Sequence, residues 1–87
     1  MTLYEINLQR EILREKSAEV LSDYRRYFRK HKIDSDSKAP INFLYNAVGD
    51  IYRNIFKPEY DEYSKLQEAN GKLDLARETL KNIQLEG

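Results

Sequence analysis

The chain has 87 residues, with 15 basic and 15 acidic side chains and a formal net charge of zero. Its 40% hydrophobic residues can supply one small core. The charge balance excludes the strongly basic composition of a dedicated nucleic-acid-binding protein but leaves room for local basic patches. The absence of Cys excludes disulfides and thiolate metal sites and favours a reducing, cytoplasmic location. We therefore expect one soluble domain over residues 1–87, with no membrane-spanning segment.

The first predicted element is a long helix over about residues 3–31. Apolar residues recur there every seven positions and at intermediate helical steps, without the alternation of a strand. Ser17 has the character of a helix N-cap, so a break near Ser17, giving four helices in all, is the alternative. The apolar residues that carry or support this repeat are Leu3, Ile6, Ile12, Leu13, Val20, Leu21, Tyr24, Tyr27 and Phe28.

A polar loop and a second helix follow. The Asp and Ser residues of the run "IDSDSK" favour turns, and Pro40 suits the first turn of a helix, where a missing N–H costs nothing. The segment over about residues 40–56 is strongly amphipathic. Pro58 should end this helix, since proline removes a backbone donor and clashes with the preceding turn.

A third helix is predicted over about residues 58–84. Glu59, Asp61 and Glu62 would lie near its positive end. Its apolar residues follow a three-four spacing that includes small alanines, which predicts close packing along a long neighbour. Gly71 falls on the outer face of that repeat. The seam consists of Leu66, Ala69, Leu73, Ala76, Leu80 and Ile83.

These elements predict the fold class. Short connections between long helices make neighbouring helices antiparallel, so we expect an all-α, up-down-up bundle of three helices. The second helix is the shortest, which would leave part of the inner faces of the other two uncovered. A homodimer or another protein partner is therefore expected. The apolar residues off the main stripes agree with this expectation: Leu8, Phe43, Leu75 and Leu85.

Catalytic chemistry has little support in the sequence. His31 is the single histidine, and the positive charges around it disfavour the imidazolium that a serine triad needs. The carboxylates at 59–62 are explained by the helix dipole, and no Glu-x-x-His motif accompanies them. No glycine-rich phosphate loop is present. We expect no enzymatic activity, no cofactor and no metal site.

The main functional signal is a basic segment, because five of the eight residues at 25–32 are Arg or Lys, interleaved with aromatic residues. Three interpretations stay open: a solvated helix end, a contact surface for an anionic membrane or a protein, and a nucleic-acid interface. Tyr4, Tyr45, Tyr60 and Tyr63 are the tyrosines expected to be exposed, as is common at protein interfaces. The candidate binding residues are Arg25, Arg26, Arg29, Lys30, Lys32, Tyr45, Tyr60 and Tyr63.

A series of short segments within residues 20–73 points to a family. The segments are Tyr27-Phe28, Lys30-His31-Lys32, the polar stretch 34–40, Leu44-Tyr45-Asn46 and Asp50-Ile51-Tyr52. This series resembles the immunity proteins that act against class II (pediocin-like) bacteriocins. The resemblance implies a cytosolic helical bundle that acts at the inner membrane face, on the complex of the bacteriocin with its sugar-permease receptor.

The expected function is therefore that of a non-enzymatic, immunity-type binding protein. Its partner would be a membrane receptor complex or a second copy of the chain, with peripheral membrane contact. The alternative is a small phage- or plasmid-encoded regulator that binds nucleic acid or a host protein through the basic helix end at 25–32.

Overall fold

The computed structural model describes residues 2–32 and 40–86, which form a bundle of three α-helices. The elements are α1 (Leu3–His31), α2 (Pro40–Asn54), a 3-10 helix (Pro58–Tyr60) and α3 (Tyr63–Glu86). Each α-helix contacts the other two. The predicted all-α bundle is confirmed over these ranges, and the predicted loop at 33–39 lies outside the described residues.

The direction of the helices follows from side-chain contacts. Arg14 of α1 lies against Phe56, just after the end of α2, whereas Arg25 bonds Tyr45 near the start of α2. α1 and α2 are therefore antiparallel. Arg10 of α1 bonds Tyr60 just before α3, and Tyr24, further along α1, bonds Ala76 within α3, so α1 and α3 run in the same direction and the up-down-up order is confirmed. None of the helices within the described ranges is long and apolar enough to cross a membrane.

α1 is one uninterrupted helix because the polar groups at its start and at Ser17 form hydrogen bonds with neighbouring residues of the chain. At the start, the N–H of Glu5 donates to the hydroxyl of Thr2 at 3.2 Å, which caps the first turn. Ser17 is buried, and its hydroxyl donates to the carbonyl of Arg14 at 2.7 Å, a bond made inside the helix. The alternative of a break near Ser17 is therefore wrong. Lys32, in the left-handed conformation with φ of 54°, closes the helix.

The connection between α2 and α3 differs from the prediction. α2 ends two residues before position 56, and a 3-10 helix precedes α3, which starts five residues later than predicted and runs two residues past position 84. Lys57 is extended, as the residue before a proline must be. The guanidinium of Arg10 donates to the carbonyl of Lys57 at 3.3 Å and to that of Tyr60 at 2.9 Å. These bonds hold the 3-10 turn, in which the N–H of Tyr60 donates to the carbonyl of Lys57 at 3.0 Å, against α1 ahead of the start of α3.

The core combines apolar side chains from all three helices. The predicted α3 seam is confirmed from Leu66 to Leu80, while Ile83 is half-buried. Ala76 has a short side chain, so the buried Tyr24 hydroxyl reaches its backbone carbonyl and donates to it at 2.5 Å. Burial raises the pKa of Tyr24 to about 12. The core residues are Leu13, Val20, Leu21, Tyr24, Phe28, Ile41, Val48, Ile51, Ile55, Leu66, Ala69, Leu73, Ala76 and Leu80.

Candidate docking surfaces

The N-terminal half of α1 carries an exposed apolar row, which we call the outer stripe: Tyr4, Leu8 and Ile12. Their side chains are 76%, 43% and 48% exposed. Their four-residue spacing aligns them on one side of the helix, away from the side that carries the buried residues. Ile12 supports the apolar repeat of α1, but steps of four residues from Tyr4 turn it toward solvent. Leu3 is also exposed, since the first residue of a helix has no preceding turn to cover.

A shallow groove between α1 and α3 continues the outer stripe. Ile12 and Gln9 line one wall, and Tyr63 and Gln67 line the other, around a volume of about 260 Å³. The side-chain amide of Gln67 donates to the hydroxyl of Tyr63, which holds that half-exposed ring against the groove. Tyr63 therefore lies beside the outer stripe, and its predicted exposure is confirmed.

Carboxylates border the outer stripe. Glu5, Glu11 and Glu15 are all exposed on the same half of α1. Within residues 2–32 and 40–86, no cation lies at ion-pair distance from any of the three. The surface around the apolar row is therefore negatively charged.

Arg14 marks the boundary between the outer stripe and α2. Its guanidinium carbon lies 5.4 Å from the ring centre of Tyr52 and 5.6 Å from that of Phe56. Both distances are typical of cation–π contacts. Glu11 and Glu15 line the same shallow cleft, of about 350 Å³. Arg and aromatic residues dominate the energetics of many interfaces, so this cleft extends the candidate docking surface toward α2.

The basic helix end is exposed as predicted for a surface segment. Arg25, Arg26, Arg29, Lys30 and Lys32 are all accessible to solvent. Of the candidate tyrosines, Tyr45 alone lies beside them, and its hydroxyl accepts a bond from Nε of Arg25 at 3.1 Å.

Tyr45 is half-buried, so its predicted exposure is wrong. Its ring stacks on Tyr24 with centroids 6.2 Å apart and meets the edge of Phe28 at 5.2 Å. These contacts make Tyr45 part of the aromatic packing that anchors α2 to α1.

Tyr60 is also half-buried and packs against the core, so its predicted exposure is wrong as well. Its pKa is raised, first by burial and then by the nearby carboxylates of Glu59, Asp50 and Glu68. Tyr60 lies in the connection that Arg10 holds against the N-terminal half of α1. The eight predicted residues therefore do not form one site, because they lie at both ends of a bundle 44 Å long.

Aromatic and basic residues form a second cleft at the basic end, between the C-terminal turns of α1 and α3. The rings of Tyr27 and His31 lie 4.4 Å apart between centroids. Arg26 and Lys30 line the same cleft from α1, and Ile83 lines it from α3, around a volume of about 850 Å³. Across the described part of the chain, no group of three His, Asp or Glu side chains is arranged to hold a metal ion.

Fold and surfaces together define a small helical bundle with two chemically different exposed surfaces near its opposite ends. A family model described as bacterial epsilon antitoxin matches residues 2–83, and the chain belongs to that family. No curated protein and no solved structure matches the chain significantly.

This finding corrects the resemblance to pediocin-like immunity proteins, which is wrong. The segments that suggested the resemblance reflect packing rather than function. Tyr27, Phe28 and Tyr45 form one aromatic cluster, and Ile51 belongs to the hydrophobic core. Any bundle built on such contacts can carry similar segments. The coarser expectation is confirmed: the chain is a small helical protein of a toxin-neutralising family whose partner is a protein. A membrane receptor has no support.

Proposed function

We propose that this protein is a non-enzymatic antitoxin that neutralises a partner toxin by docking the outer stripe of α1 onto it. The observation that carries the proposal is the exposure of Tyr4, Leu8 and Ile12 in one row on the solvent side of a helix. Monomeric proteins seldom leave several large apolar side chains contiguous in solvent without a binding role.

The helix that carries the stripe is preformed. The Thr2 cap begins it, and buried Arg10 holds it to the connection before α3. Leu13 fixes the opposite side of the same turns in the core. Little conformational entropy would be lost on docking, which favours affinity.

The pattern fits the helix-in-groove mode of recognition, in which apolar side chains at four-residue spacing enter an apolar groove. The carboxylates of Glu5, Glu11 and Glu15 would then meet the rim of that groove. Complementary charge increases the association rate and selects the partner. A toxin surface with an apolar floor and basic edges is therefore the expected counterpart.

The test is a growth assay in a bacterial host that expresses the toxin encoded beside this chain. Wild-type protein should restore growth, whereas the double substitution Leu8→Arg with Ile12→Arg should not, because two charges would enter an apolar contact. Binding of the purified proteins, measured by calorimetry, should weaken at least about 100-fold, on the order of 2.7 kcal/mol.

Leu75→Arg is the matched control, since Leu75 is also a large exposed residue but lies on α3. It should protect like wild type. Circular dichroism should show equal helicity for all variants. Full protection by the Leu8→Arg, Ile12→Arg protein would exclude the outer stripe, and no protection by wild type would exclude the antitoxin function against that toxin.

A further inference from the structure

The cleft at the basic end offers a second kind of binding chemistry. Arg26 and Lys30 are four residues apart on α1 and therefore neighbours along its axis. Tyr27 and His31 form a second pair with the same spacing, with ring centroids 4.4 Å apart. The cleft thus has a cationic rim and an aromatic wall, both supplied by two turns of one helix.

The opposite wall comes from α3. Ile83 is half-buried there and adds an aliphatic surface facing the ring pair across the cleft. Asp23 lies at one end, with its carboxylate 3.8 Å from the guanidinium of Arg26. Among the described side chains, no carboxylate lies at ion-pair distance from Lys30. The cleft therefore keeps positive charge available toward the end of α1.

We propose that this cleft binds an acidic segment of a second protein partner, with an apolar side chain against Tyr27, His31 and Ile83. Carboxylates beside that side chain would pair with Arg26 and Lys30 on the rim. The charge of the rim selects an anionic segment, and the apolar walls select one that carries an aromatic or aliphatic anchor.

The distance between the two surfaces leaves room for a separate partner. Leu8 and Lys30 are 22 positions apart on one continuous helix, which places them about 33 Å from each other along its axis. A groove that held the outer stripe would not need to reach the cleft. The inference therefore goes beyond the toxin-binding function and does not depend on it.

A protein segment fits the cleft better than a nucleic acid does. The cations at 25–32 cover about 10 Å of helix axis, which is short for tracking a phosphate backbone. Arg29 and Lys32 lie outside the cleft lining, so only part of the positive charge faces it. The chain as a whole has no net charge. A concave site with apolar walls suits a side chain and its neighbours rather than a duplex.

The test is fluorescence anisotropy with the full-length protein and a labelled twelve-residue peptide that has a central Phe-Leu pair flanked by glutamates. One control peptide replaces the glutamates with glutamines, and another replaces the central pair with serines. A labelled DNA duplex of about 20 base pairs and phosphatidylglycerol vesicles are measured in parallel. The acidic, apolar peptide should bind with a dissociation constant below about 1 mM, and each control peptide should bind at least about fivefold more weakly.

Two double variants each remove two positive charges, but from different parts of the basic helix end. Arg26→Gln with Lys30→Gln alters the cleft rim, whereas Arg29→Gln with Lys32→Gln alters the same helix end outside the cleft. Peptide affinity should fall about tenfold in the first variant and less than twofold in the second. All four residues are exposed, so both variants should fold normally.

The proposal is overturned by equal losses in the two double variants, since diffuse charge would then account for binding. Absence of peptide binding at 1 mM, or tighter binding of DNA or vesicles through Arg26 and Lys30, also overturns it. The Arg26→Gln, Lys30→Gln protein should still neutralise the toxin. Loss of neutralisation there would make both surfaces parts of one toxin interface and exclude a second partner.

Discussion

The two ends of α1 share one buried side but present opposite chemistry to solvent. Toward the N-terminus the exposed side carries Tyr4, Leu8 and Ile12 with carboxylates around them. Toward the C-terminus it carries a cluster of Arg and Lys above an aromatic wall. A single helical repeat buries Leu13 and Phe28 equally well at both ends. The buried side thus specifies the bundle, while the exposed side is free to differ from one end to the other.

The two ends also differ in how they are held. Near the N-terminus, the guanidinium of Arg10 bonds two backbone carbonyls of the connection before α3. Near the C-terminus, stacked aromatic side chains of α1 and α2 supply the contacts. Polar anchoring depends on geometry and charge, whereas aromatic packing depends mainly on buried area. Substitutions should therefore affect the two ends differently.

The largest effect is expected from Leu73→Ala, because Leu73 is completely buried in the core that both ends share. The unfolding free energy should fall by about 2–5 kcal/mol in urea titrations followed by circular dichroism. Leu75→Ala, on the exposed side of the same helix, should change it by less than about 0.5 kcal/mol. A Leu73→Ala protein that lost only one of the two binding surfaces would show that the ends fold separately.

A smaller effect is expected from Arg10→Ala, which removes the anchor of the N-terminal end. The free energy of unfolding should fall by about 2–3 kcal/mol, since the bonds from a charged, buried donor to the carbonyls of Lys57 and Tyr60 are lost. Arg29→Ala removes an exposed cation at the other end, and its free energy of unfolding should lie within about 0.5 kcal/mol of the wild-type value. Comparable losses in the two variants, measured by thermal unfolding, would contradict the difference in anchoring.

The smallest effect is expected from Tyr24→Phe, which removes the bond to the carbonyl of Ala76 in the aromatic half of the bundle. At neutral pH the free energy of unfolding should fall by about 1 kcal/mol. Burial raises the pKa of Tyr24 to about 12, so above pH 10 the folded protein retains a proton that the unfolded chain releases. This contribution to stability is complete below pH 10 and is lost as the pH rises toward 12.

The stability of Tyr24→Phe should therefore decline less than that of wild type between pH 10 and pH 12. Comparing the two proteins in urea titrations at each pH cancels the titration of the other tyrosines and lysines. Parallel declines would mean that the hydroxyl of Tyr24 is solvated in the folded state.

The outline of the fold could be predicted from the sequence, but the exposed stripe could not. Helical spacing identified the α3 seam from Leu66 to Leu80, and Pro40 and Pro58 marked two element boundaries. The same spacing did not separate Ile12 from the core residues of α1, because an amphipathic pattern does not reveal where a helix lacks a neighbour. The four-residue spacing of Tyr4, Leu8 and Ile12 was the one available signal of the exposed stripe. It is hard to recognise in the sequence because α1 contains many other apolar residues.

The sequence alone determined three amphipathic helices, their order and the concentration of positive charge at 25–32, since these depend on residue type and local spacing. Tertiary structure decided the rest. It half-buried Tyr45 and Tyr60 by packing them against the core, and it brought Arg10 beside two carbonyls of the connection before α3. Contacts between the helices join positions up to 58 residues apart, so their energies cannot be read from the neighbours of a residue along the chain.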